Sequence, residues 1–113
     1  MNERYRDICE DLGWYWLNCD DGNIELEKHS PAGEDFSFTV GAENFVDNVK
    51  EYAAYFDQEE HIEMWLEARR SGTRGVPSIK ELVKDAEDID AMLKELAEAL
   101  FAAELEAERR VEI

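Results

Sequence analysis

The sequence predicts an α+β fold in which helices cover one face of a small antiparallel sheet, and three observations carry that prediction. Leu82, Ala86, Ile89, Leu93, Leu96 and Leu100 recur at three- and four-residue steps, which marks a long helix with one apolar side. Between Trp14 and Val40 the residues favour strands, with turn signals at Asp20-Asp21-Gly22 and Ser30-Pro31-Ala32-Gly33. Phe45, Val49, Tyr52, Ala53 and Phe56 then have helical spacing. The 113 residues suit one domain: a short helix over 2–12, a sheet over 14–40, helices over 44–56, 58–70 and 79–108, and a loop over 71–77.

Each element has its own signals. Tyr5, Ile8, Cys9 and Leu12 share a helical face, Asn2 can cap them, and Gly13 is placed to end the turn. Trp14-Tyr15-Trp16-Leu17 and Ile24-Glu25-Leu26-Glu27 form a hairpin whose register the turn decides. A two-residue Asp21-Gly22 turn places Leu17 and Leu26 on one face and both tryptophans on the other. A three-residue turn with Gly22 left-handed pairs Trp16 with Leu26 and buries both indoles; it is preferred, because indoles bury the most apolar area. Tyr15, Glu25 and Glu27 then fall on the open face. Phe36-Ser37-Phe38-Thr39-Val40 alternates as a third strand, completing a meander. Asp57 ends the helix after the sheet and, with Glu60, caps the next, whose buried side is expected to include Ile62 and Trp65. Ser78-Ile79-Lys80-Glu81 reads as the capping box of the long helix. Beyond Phe101 the apolar seam breaks at Glu104, so the tail is expected to project, fray or pair with another chain.

Charge is the unusual property. The 29 acidic and 12 basic residues leave a net charge of −17, more than solubility requires. Residues 1–68 carry −14 and residues 85–108 carry −8, on either side of a basic segment, 69–84, at +4. Arg69, Arg70 and Arg74 in that segment could bind a phosphate or an acidic partner, and helix-end electrostatics and an ordinary loop explain them about as well. Nucleic acid and anionic membrane are poor partners for such a chain, and a basic protein surface is a good one. Apolar content of 44% still permits a packed core. With no stretch near 18 apolar residues, and with Cys9 and Cys19 reading as reduced, buried thiols, a cytoplasmic location is expected.

Catalytic signals are lacking. His29 and His61 are the only histidines, and no nucleophile elbow, zinc-protease helix, phosphate loop or C-x-x-C occurs. A Glu-x-x-His metal pair is missing because residue 58 is Gln, and Asp20-Asp21-Gly22-Asn23 lacks the closing glutamate of a calcium loop. The chain is therefore expected to be no enzyme and to need no cofactor or metal. A hydrolase or metal binder would show itself by a concave pocket holding His61 with perturbed carboxylates. What stands out is the carboxylates on stiff elements: Glu87, Asp88, Glu95 and Glu98 on the back of the long helix, and Glu25 and Glu27 on the sheet. Such rows can offer a DNA-binding cleft the contacts its Arg and Lys make to phosphate, since duplex DNA carries a charge every ~1.7 Å of its axis.

Over residues 2–70, an acidic chain running helix, three-stranded meander, then helices resembles the small phage-encoded inhibitors of CRISPR effector nucleases and, more broadly, antirestriction DNA mimics. Segments such as Ser30-Pro31-Ala32-Gly33-Glu34-Asp35-Phe36-Ser37-Phe38 and Glu60-His61-Ile62-Glu63-Met64-Trp65 are similar to short proteins carried on mobile elements of gut bacteria. The resemblance implies an anti-defence protein that binds the basic, nucleic-acid-binding surface of a host nuclease. It transfers no individual residue. The alternative is an interaction or assembly module of a mobile element, homodimeric through the end of the long helix near Phe101 and Leu105.

Overall fold

The computed structural model describes residues 2–29, 35–70 and 79–111. Helix α1 (Asn2–Asp11) leads into strands β1 (Tyr15–Asn18), β2 (Asn23–His29) and β3 (Asp35–Gly41), followed by helices α2 (Phe45–Tyr55), α3 (Gln58–Arg70) and α4 (Ile79–Val111). The fold is α+β, with an antiparallel sheet in the order β1-β2-β3. The expected turn at 30–33, the loop at 71–77 and the cap residue Ser78 lie outside the described residues, as does the side chain of Trp65.

Local chemistry sets the chain reversals. At the end of α1, Trp14 N donates to Cys9 O at 2.9 Å and Gly13 N to Glu10 O at 3.0 Å, with Gly13 at φ 91°. These are the two bonds of a Schellman cap, and they need a residue at ease in the left-handed region. Asp20, Asp21 and Gly22 form the three-residue turn, Gly22 at φ 81°, closed by Cys19 N donating to Asn23 O at 2.9 Å. Trp16 accordingly pairs with Leu26, and Trp14 and Trp16 are both buried. Asp57 Oδ1 accepts from the backbone N–H of Glu59 and Glu60 at 2.9 and 3.2 Å, capping α3.

The core lies between the inner sheet face and the helices. Trp14, Trp16, Ile24, Leu26, Phe36, Phe38 and Val40 meet Phe45, Val46, Val49 and Ala53 of α2 and Ile89, Leu93, Leu96 and Leu100 of α4. Lys28 also points inward, where its ammonium donates to Leu12 O at 2.7 Å and sits 5.8 Å from the Trp14 ring centroid. Cys9 is fully buried and Cys19 only partly; both are free. Burial, reinforced by Glu10, pushes the Cys9 thiol up to about 12.

One expectation needs correction. The tail beyond Phe101 does not simply project. α4 stays helical to Val111, Ala103 is buried, and Glu106 accepts from Arg4 of α1 at 2.6 Å. α1 packs against this end of α4, and burial, with Glu104 second, raises the pKa of Tyr5. The apolar side of α4 also holds a charged residue, since Asp85 is 1% exposed.

Candidate functional site

Three regions bear on function: the open face of the sheet, the back of α4, and a cleft between β3, α2 and α3. The open sheet face follows from the register. Tyr15 pairs with Glu27 and Leu17 with Glu25, and these face the same way as Ser37 and Thr39 of β3. Tyr15 is 66% and Leu17 48% exposed, while Glu25 and Glu27 are partly exposed between them and β3. No described lysine or arginine side chain stands on this face: Lys28 is turned inward, and Arg6, which shares a shallow pocket with Tyr15 and Leu17, is held by Glu10 at 2.9 Å.

The back of α4 looks alike in sequence and differs in surroundings. Glu87, Glu95 and Glu98 are exposed, and Asp88 is partly buried with Lys84 Nζ at 3.3 Å. Asp90 is held by Lys94 at 2.9 Å and Gln58 at 3.0 Å. Glu98 lines a shallow pocket with Lys50 and Lys94, and the Lys50 ammonium lies 3.9 Å from the Phe101 ring centroid. Lysines therefore interleave the helical carboxylates and dilute their field. Because α4 and the sheet share one core, the two predicted patches face away from each other, so a single contact cannot engage both.

The third region is the cleft, which holds His61. It encloses about 740 Å³ and is walled by β3, α2 and the start of α3. Phe36 and Phe56 meet edge to face at 6.0 Å, and His61 lies 6.2 and 5.7 Å from them. Tyr52 stacks on Phe38 at 4.5 Å, and its pKa is raised by burial and then by Glu60. Behind His61, Asp85 Oδ2 sits 3.5 Å from Nε2, while Asp85 Oδ1 is buried without a hydrogen-bond partner. A buried carboxylate behind an imidazole orients the ring. The concave pocket around His61 that a hydrolase or metal binder would need is thus present, although no three His, Cys, Asp or Glu side chains among the described residues are grouped to hold a metal ion. The sequence signal for Asp85 was its place three residues after Leu82 and one before Ala86, on the apolar side of α4.

No described helix is long and apolar enough to cross a membrane. Comparison with protein-family models, with curated proteins and with solved structures finds no match to this chain.

Proposed function

We propose that this protein is a non-enzymatic, acidic inhibitor that acts in the cytoplasm, gripping the basic nucleic-acid-binding surface of a host defence nuclease and excluding DNA from it. One observation carries the reading: Glu25 and Glu27 stand on the open sheet face beside exposed Tyr15 and Leu17, and Arg6, the described cation that shares a pocket with those two, is paired with Glu10. Residues two apart on a strand are about 6.6 Å apart, of the same order as successive phosphates on a nucleic acid strand. An arginine of the partner can form paired hydrogen bonds to such a carboxylate and stack on the tyrosine ring. An exposed aromatic amid acceptors is the composition of an interface hot spot. The surplus of −17 steers a cationic partner towards the molecule. The two unpaired cysteines accord with a reducing compartment.

The test is capture from a lysate of nuclease-bearing bacteria at low and at high salt, using the wild type and a Tyr15→Ala/Glu25→Lys/Glu27→Lys variant. The expected catch is a nucleic-acid-binding protein released by salt and by added duplex DNA, and lost with the variant. A catch that survives both the variant and excess DNA would count against the reading.

A second reading rests on Phe101 and Leu105 of α4, which are 37% and 39% exposed. They would serve a homodimeric assembly module. Light scattering separates the two readings, because only the second requires a stable mass twice that of the chain.

A further inference from the structure

We propose that the cleft between β3, α2 and α3 binds an extended, basic segment of a partner protein, which adds to the sheet as a fourth strand along β3. This site is separate from the open sheet face and does not depend on it.

The backbone supplies the first argument. Among the described residues β3 is an edge strand of the sheet, paired with β2. Ala42 N donates to Gly22 O at 3.0 Å, which fixes the alternation of the β2-β3 ladder. Val40, Phe38 and Phe36, opposite Ile24, Leu26 and Lys28, therefore turn their N–H and C=O groups towards β2. Ser37 and Thr39 turn theirs to the outer edge. Gly41 follows the same alternation, and its carbonyl is reached from that side by Asn48 Nδ2 at 3.1 Å. Among the described residues no hydrogen bond occupies the outward groups of Ser37 and Thr39. An unpaired edge of this kind is a template for another strand.

Side chains supply the second argument. The cleft beside this edge has an aromatic floor of Phe36, Tyr52 and Phe56, where alternate apolar side chains of an added strand would seat. Tyr55 and Met64 stand on its rim at 80% and 64% exposure, large apolar groups without cover. Glu51, Asp57 and Glu60 line it as well, and no described lysine or arginine does. Apolar pockets with an acidic rim call for a strand whose cleft-facing positions, two residues apart, carry hydrophobic residues at the centre and lysine or arginine towards the rim. They also argue against a second copy of this chain, because two such rims on molecules of net charge −17 would repel.

The probe is a seven-residue acetylated peptide whose one face carries valine at the two central positions and lysine or arginine at the two outer ones, titrated into the isotopically labelled protein at about 150 mM salt while amide resonances are followed. Saturable shifts are expected at Ser37, Thr39, Glu51 and Tyr52. Methylating the peptide nitrogens on one edge should weaken binding by about tenfold or more, because it removes ladder donors and leaves the charge unchanged. Glu51→Lys/Glu60→Lys should weaken it comparably. Ser37→Pro removes an outward N–H that no ladder bond uses, and should do the same. The methylated peptide leaves the protein untouched, so the test stands even where Ser37→Pro fails to fold. Binding indifferent to methylation would mean loose charge attraction, and arginine amide binding as tightly as the peptide would mean a small-cation pocket. Either result, or shifts confined to the open sheet face, or no saturation at millimolar peptide, overturns the proposal.

Discussion

The open sheet face, with two of the six candidate carboxylates, and the back of α4, with four, are electrostatically unlike. On the helix, Lys84 holds Asp88, Lys94 holds Asp90, and Lys50 and Lys94 line one pocket with Glu98. On the sheet, Glu25 and Glu27 have exposed Tyr15 and Leu17 as neighbours, and the one lysine of β2 is turned inward. A helix places residues three and four apart side by side, so i,i+4 lysines neutralise acids at little cost. A strand sends neighbours to opposite faces, and a basic residue next to an acidic one cannot reach it. Local geometry thus decides which carboxylates keep their field. A count of acidic residues does not.

Three experiments can break or sharpen this contrast. The largest effect separates the two sides of α4. Leu93→Ala should cost about 2–5 kcal/mol of stability in denaturant melts, because Leu93 is fully buried. Glu95→Ala, on the exposed side, should stay within about 0.5 kcal/mol. A costly Glu95→Ala would mean that the back of α4 is structural and not simply solvated. Next, Tyr15→Ala should weaken partner binding by about 1–2 kcal/mol, roughly five- to thirtyfold, with an unchanged melting curve. Equal binding would remove the anchor from the sheet face. The smallest effect is the reverse of the usual one. If lysines dilute the helical patch, Lys84→Gln/Lys94→Gln should strengthen binding by about two- to threefold at low salt, chiefly through the association rate. Stability should fall by no more than about 1 kcal/mol, since both ion pairs are surface pairs.

The sequence made the sheet register readable because only one turn buries both tryptophans. Gly22 then had to be left-handed, and Trp16 does pair with Leu26. The apolar side of α4 was readable for the same reason: Leu82, Ile89, Leu93, Leu96 and Leu100 recur at helical spacing, and all are buried. Docking of the far end of α4 was hidden, because it rests on Ala103 and on Arg4 reaching Glu106 over 102 residues of sequence. The six candidate carboxylates could be listed from spacing alone. Their grouping could not, since Lys50 approaches Glu98 and Phe101 only through the packing of α2 on α4. The cleft was out of reach as well. Its walls come from three elements, and Asp85 behind His61 was masked by the expectation that a charged residue faces water.

The most direct test compares two charge reversals of equal size, Glu25→Lys/Glu27→Lys and Glu87→Lys/Glu98→Lys, in affinity for the captured partner at about 150 mM salt. Both change net charge by the same amount, so any difference reports position. The sheet pair should lose about thirtyfold or more in affinity, and the helix pair no more than about threefold, mainly in association rate. Equal losses, or a larger loss on the helix, would contradict the account.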